Sequence, residues 1–387
     1  MTPHSKDESY NGFEQGPIRP PSEAYSLFIR ATRNCPWNRC TFCPVYKGER
    51  FSIRPVEHVK KDIDSVHRYV RSLRQKADES GRISRTEVIQ IAETVEPGDR
   101  LAFQAAFNWL ACGAASVFLQ DANSLIVKPA DLVEILTHLK MHFPWVERIT
   151  SYARAHTVAR MNDNDLKAIG DAGLNRIHIG LESGSDKVLA MVKKGVTREM
   201  QIQAGLKVKR AGIELSEYYM PGLGGRALSE EHALQTADAL NQINPDFIRL
   251  RTLAIPNRVP LFEDYQAGRF EKCTDLLVAK ELLTFIENLD GITSVVMSDH
   301  ILNLFGDLEG TLPHDKERML TIVRTFLAMD PERQCLYRVG RRLGVFSCLS
   351  DMENPHRRAS AERAYRELGV TPDNVDKIVG ALMKRFI

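Results

Sequence analysis

No stretch of this 387-residue chain approaches the ~18 consecutive apolar residues that a membrane span needs, so none is expected. Charge of one sign is not in excess either: 52 Lys+Arg stand against 50 Asp+Glu, for a formal net charge of +2. That balance excludes the strongly basic footprint of a dedicated nucleic-acid binder and the acidic surplus of a solvating tail. The opening residues MTPHSKDESYNGFEQGP lack an apolar segment behind a basic start, so no secretory signal is expected and a cytoplasmic location is. Internal repeats and low-complexity segments are missing. Cysteine is scarce and odd in number, at 7, which argues against a disulfide framework.

What cysteine there is clusters. Cys35, Cys40 and Cys43 fall in the stretch RNCPWNRCTFC, while Cys112, Cys273, Cys335 and Cys348 are scattered and read as small buried residues. Three thiols on one short loop suit a metal that takes thiolate ligands. A structural zinc site usually takes four protein ligands, and no fourth Cys or His follows at finger spacing; the nearest downstream histidine, His58, falls in a predicted helix. A cubane [4Fe–4S] cluster held by three thiolates keeps one iron open for another ligand.

Along the chain, residues 1–22 are polar and proline-containing and read as a flexible tail or a strap over the core. SLFIRA is strand-like and leads into the cysteine loop. Pro55 opens a helix in which Val56, Val59, Ile63, Val66 and Val70 recur at helical spacing, and a second helical run follows over 98–110. From there strand-like and helical segments alternate: strands over 114–120, 148–155, 176–182, 212–220 and 246–254, each but the last leading directly into a helical segment. This predicts an α/β fold of parallel βαβ units, a partial or closed (β/α)6 TIM-like barrel over 23–270. Residues 271–387 form a mainly helical C-terminal extension, with one further strand-like piece at SVVMSD. In RIHIGLE the apolar Ile177, Ile179 and Leu181 share one face, and Arg176, His178, Gly180 and Glu182 the other. With the helical layer taking the apolar face, the interior is polar and suits a polar ligand or internal salt bridges.

Two of these segments together resemble the radical S-adenosylmethionine (SAM) enzymes. The usual signature is C-x3-C-x2-C after the first barrel strand, with an aromatic before the last cysteine. Here the second half matches and the first gap is one residue longer, C-x4-C-x2-C. RIHIGLESGSDKVLAMVKKGVT is similar to the fourth strand and helix of the subgroup that holds methylthiotransferases, oxygen-independent coproporphyrinogen oxidases and elongator-type enzymes.

The resemblance implies a [4Fe–4S] cluster on Cys35, Cys40 and Cys43, reductive cleavage of SAM to a 5′-deoxyadenosyl radical, and hydrogen abstraction from an organic substrate by an oxygen-sensitive enzyme. It implies Phe42 near the adenine, Glu182 on the ribose hydroxyls and Lys194 on the SAM carboxylate. Asp121 and Asn123 stand in for the segment that receives the SAM amino group, and Met220 lines the adenine pocket. Arg154 and Arg251 join this cofactor-binding set; with His156 and Arg249 they equally suit a substrate carboxylate or phosphate, or act as internal counter-ions. Asp299 and His300 are weaker candidates for substrate contact, and Tyr218 or Tyr219 for hydrogen-atom delivery. Reduced flavodoxin or ferredoxin is the implied electron donor. No TRAM, acetyltransferase or cobalamin-binding region is apparent. An alternative reading is a non-catalytic zinc- or RNA-binding module using the Cys35/Cys40/Cys43 loop with Arg33, Arg39, Lys47, Arg50 and Arg54 around it. An ordinary non-redox α/β enzyme is the third.

Overall fold

The computed structural model describes residues 9–384. It divides into two compact units that interleave along the chain. The first holds the residues up to Asn38, then Gly48–His178 and Lys207–Glu214; the second holds Arg39–Lys47, Ile179–Leu206 and Leu215 onward.

In the first unit β1 (Leu27–Arg30) pairs parallel with β4 (Ser116–Gln120), and β4 pairs parallel with β5 (Arg148–Ala153). Between β1 and β4, β2 (Thr32–Arg33) and β3 (Ser52–Ile53) form a short antiparallel pair. β6 (Arg176–Glu182) starts in this unit and ends in the other. The helix Val56–Gln75 forms where the apolar spacing predicts it: Val59, Ile63, Val66, Val70 and Leu73 are all fully buried. They pack against the helices Arg100–Ala111 and Pro129–His142. A helix at Arg85–Glu93 was not expected: it buries no residue, so no apolar period marks it, although Ser84 caps it by accepting from the Glu87 amide.

Residues 1–8 of the polar N-terminal stretch lie outside the described residues. From Tyr10 onward the stretch is strapped down. Tyr10 donates to Asp62 (2.9 Å), Phe13 is buried, and the Gly16 amide donates to Gln120 Oε1 (2.8 Å).

In the second unit β7 (Glu214–Tyr219, entering from the first unit), β8 (Phe247–Leu250) and β9 (Val295–Met297) pair parallel, and β10 (Gly310–Thr311) pairs antiparallel with β9. The strand-like SVVMSD is thus a true parallel neighbour of β8. The helix Gly225–Ile243 starts four residues before the expected SEEHALQ segment, because Gly225 takes a positive φ (61°) where Glu271 O and Phe270 would meet a side chain. It ends on Asn244 in the left-handed conformation. Beyond β10 the chain is helical: Lys316–Ala328, Pro331–Arg342, Pro355–Glu367 and Val375–Met383. The fold class is therefore the expected one, α/β with mainly parallel strands and a helical C-terminal region.

Candidate functional site

The second unit gathers most of the residues singled out by sequence. Its loop Arg39–Lys47 is pinned through Thr41, whose amide donates to Val192 O and whose carbonyl accepts from the Leu261 amide, both at 3.0 Å. Phe42 is thereby sunk into an apolar cluster with Val188, Val192, Met220, Leu223 and Leu261, and Cys40 and Cys43 pack against it. Two thiols backed by an apolar wall are shielded from water on one side, a setting that governs the potential and stability of a bound cluster.

Glu182 ends β6 in the left-handed region (φ 63°), an uncommon conformation for a residue with a side chain. Its carbonyl accepts from the Met220 amide (3.1 Å), which ties the end of β6 to the end of β7. Its Oε1 accepts from Lys194 Nζ at 3.1 Å, while Oε2 is buried with no hydrogen-bond partner. Lys194 Nζ also lies 5.9 Å from the Phe42 ring centroid. Gly180 leaves room for this pair: a Cβ there would stand 2.4 Å from Glu182 Oε1 and 3.0 Å from Lys194 Nζ. Behind Met220, His232 bridges its carbonyl (3.0 Å) and the Ser183 hydroxyl (2.8 Å). Phe42, Glu182, Lys194 and Met220 thus form one constellation.

Sequence reasoning missed Glu217, the fourth residue of β7. It is fully buried, and the Leu181 backbone beside it gives its carboxylate only weak hydrogen-bonding support. Burial pushes its pKa well above the carboxylate range; Lys194 opposes that and Glu182 adds to it. The only signal was a charge set between the apolar Leu215 and the pair Tyr218–Tyr219.

The first unit holds the others. The Asn38 amide donates to Cys35 Sγ at 3.4 Å. Arg154 lies over the Trp37 ring, 5.0 Å from its centroid. Asp121 is fully buried, with its Oδ2 accepting from Arg30 Nη2 (2.7 Å), Arg30 Nε (2.9 Å) and the Asn34 amide (2.9 Å). Asn123 donates to Thr157 Oγ1 (2.9 Å) and accepts from the Arg154 amide (3.0 Å). Both side chains thus hold loops of their own unit, which sequence spacing does not show. Arg33 and Arg54 are neutralised by Glu14, at 2.8 and 3.4 Å, and Arg54 also by Asp62, so these two do not form an open cationic face.

Among the substrate candidates, Arg249 is held by Ser216 (3.2 Å) and Asp299 (2.5 Å). Arg251 is exposed, and burial together with the Arg251 charge pushes His300 down to about 4. Tyr219 is buried and donates to Glu281 (2.8 Å), and Tyr218 is nearly as buried. His156 is held down by burial, Arg160 and Arg154. Of the scattered cysteines, Cys273 and Cys335 are buried as expected, with burial pushing Cys273 up to about 12. Cys112 is not: it sits exposed at the end of the helix Arg100–Ala111, and Cys348 is half-buried.

Within the second unit the donor chemistry suits the implied groups: the Cys40 and Cys43 thiols are of the type that ligates an iron–sulfur cluster, and the buried Glu182 Oε2 can accept from a donor such as a ribose hydroxyl.

Residues 113–237 match the family model described as the radical SAM superfamily. The chain is 22 % identical over 111 residues, 28 % of its length, to the tRNA uridine(34) acetyltransferase of Methanocaldococcus infernus. It is 27 % identical over 195 residues, 49 % of its length, to the 4′-phospho-dehydrooxetanocin synthase of Priestia megaterium. The chain spans about a fifth of the length of these curated relatives, 21 % and 22 %. Among solved structures, coproporphyrinogen III oxidase (HemN) from Escherichia coli is similar with a TM-score of 0.44 and 13 % identity, over 68 % of this chain and 52 % of that one. No helix among the described residues is long and apolar enough to cross a membrane. The fold is α/β with a mainly parallel sheet, and within it the segment 113–237 is similar to the radical SAM superfamily.

Proposed function

We propose that this chain is a radical SAM enzyme that uses a [4Fe–4S] cluster and SAM to abstract hydrogen from an organic substrate. The observation that carries the reading is the Glu182–Lys194 pair: a carboxylate with one oxygen on an ammonium group and the other buried and unused, beside Phe42 on the loop that bears Cys40 and Cys43. When bound, the two cofactors supply reductive cleavage of the sulfonium C–S bond and the 5′-deoxyadenosyl radical that follows. The protein's part is to bind, orient and exclude water. Cys35, Cys40 and Cys43 are the cluster ligands. Glu182 Oε2 accepts from the ribose hydroxyls, Lys194 faces the SAM carboxylate as a point charge, and Phe42 and Met220 offer the adenine an apolar wall. The apolar cluster behind Cys40 and Cys43 keeps water from one side of the reaction. Reduced flavodoxin or ferredoxin supplies the electron.

The test is anaerobic reconstitution followed by incubation with dithionite and SAM. The expected result is about four irons per chain and release of 5′-deoxyadenosine. Full iron loading with no 5′-deoxyadenosine overturns the reading, as does uptake of a single tetrahedral zinc in place of iron.

A further inference from the structure

A second group of metal-ligating side chains lies entirely in the first unit, on two helices. His138 and His142, one helical turn apart on Pro129–His142, share a face, and Asp64 meets them from the helix Val56–Gln75. Asp64 Oδ1 stands 2.6 Å from His138 Nε2 and 3.2 Å from His142 Nε2, and one donor atom from each residue falls within 4.8 Å of the others. Ligands ~2.0–2.2 Å from one tetrahedral ion are ~3.4 Å apart, so small side-chain rotations converge these three on a common centre.

The hydrogen-bonding supports this arrangement. His142 Nδ1 is 2.9 Å from the His138 carbonyl, which can only accept, so Nδ1 carries a proton. With Nδ1 so engaged, Nε2 is the ring atom turned toward the Asp64 carboxylate oxygen, at 3.2 Å, where a cation shared by the two can sit. The same Nδ1–H···O=C bond fixes the ring in the way that outer partners orient metal-bound imidazoles. His67, one turn beyond Asp64, packs edge-on against His142, with ring centroids 4.7 Å apart. All three side chains reach solvent, Asp64 at 47 % exposure, which leaves an entry path and room for water in the fourth position.

We propose that Asp64, His138 and His142 bind a divalent transition metal of the zinc, nickel or copper class and clip these two helices together. Two imidazoles and one carboxylate are borderline ligands suited to those ions rather than to Mg2+ or Ca2+.

Zinc is the probe, and the cluster-loaded protein is the sample, so that Cys35, Cys40 and Cys43 are occupied. After equilibrium dialysis at micromolar free Zn2+, wild type is expected to hold one zinc per chain with its iron unchanged. X-ray absorption at the zinc edge should show nitrogen and oxygen scatterers at ~2.0–2.1 Å and no sulfur shell at ~2.3 Å. The His138→Ala/His142→Ala double variant should lose that zinc and keep its iron, and zinc should raise the melting temperature of wild type only. Asp64→Asn, which preserves the side-chain volume, should weaken zinc binding at least tenfold and covers the case in which the double variant does not fold. A wild type that binds no zinc leaves an ordinary imidazolium–carboxylate pair and overturns the proposal. So do a sulfur shell, and variants that retain the metal.

Discussion

Lys194 Nζ sits 3.1 Å from Glu182 Oε1 across a space that only a glycine at 180 leaves open. The atoms a Cβ would strike are the far ends of two flexible side chains, so both can swing away. Gly180→Ala is therefore expected to change unfolding free energy by no more than about 1 kcal/mol, since Ala is the better strand residue. It displaces the pair, and SAM affinity of the reconstituted protein should fall about tenfold or more, a loss of ~1.4 kcal/mol. Calorimetric titration with SAM beside a urea melt separates the two effects. Loss of stability with unchanged affinity would remove the pair from the site.

Glu182→Gln keeps the volume and one acceptor oxygen but removes the charge. A hydrogen bond to a charged group contributes about 1.5–3 kcal/mol, so the SAM dissociation constant should rise roughly 10- to 100-fold. The iron content should not change, because Glu182 is no cluster ligand in this reading. An affinity within twofold of wild type would leave the orphan oxygen without a role.

Cys40→Ala and Cys43→Ala should each lower cluster occupancy after reconstitution and abolish 5′-deoxyadenosine formation. Cys112→Ala, at an exposed helix end, should do neither. Iron and sulfide analysis with the cleavage assay reads both. Full activity in Cys40→Ala would return the chain to an ordinary non-redox α/β enzyme.

The parts of this molecule legible in sequence are those with a strong local period or a tight spacing. β6 runs over Arg176–Glu182, as the alternation in RIHIGLE predicts, and the helix Val56–Gln75 follows its valines and isoleucine. Partners distant in the chain were not legible. Asp121 accepts from Arg30 and Asn34, and Asn123 donates to Thr157 and accepts from the Arg154 amide, partners that no local spacing announces. The Asp64–His138 contact spans 74 positions and two helices, and no motif encodes it. The helix Arg85–Glu93 has a serine cap but no buried face, so apolar periodicity could not find it.

His300 supplies a pH prediction. Burial and the Arg251 charge hold its pKa at about 4, below the ordinary 6.5. Between those two values the unfolded chain takes up a proton that the folded state refuses, so stability falls as pH drops from about 6.5 toward 4. The loss is on the order of 3 kcal/mol, at ~1.4 kcal/mol per pH unit. Urea melts across that range should show a steeper decline for wild type than for His300→Gln. Parallel profiles would mean that His300 titrates normally.

Asp275 acts at lower pH and on a different part of the fold. It opens the helix Asp275–Glu287 and accepts from Arg342 Nη2 (2.7 Å) and Arg338 Nε (3.2 Å), both on Pro331–Arg342. Burial alone would raise its pKa, but the two guanidinium groups outweigh that and hold it at about 2. The stability it contributes is complete above the unfolded value near 3.8 and is lost as pH falls through about 2. Asp275→Asn leaves two buried arginines short of an anion at every pH. Among the described residues Arg338 then keeps Asp376 alone, which is 53 % exposed, and Arg342 keeps the Leu302 carbonyl. Breaking a buried pair in this way costs about 3–5 kcal/mol. Because this carboxylate ties Pro331–Arg342 to Asp275–Glu287, the loss should appear first as protease cleavage within the C-terminal helices. Wild-type resistance of those helices in Asp275→Asn would show that the apolar contacts of Cys335, Val339, Val375 and Val379 hold them without it.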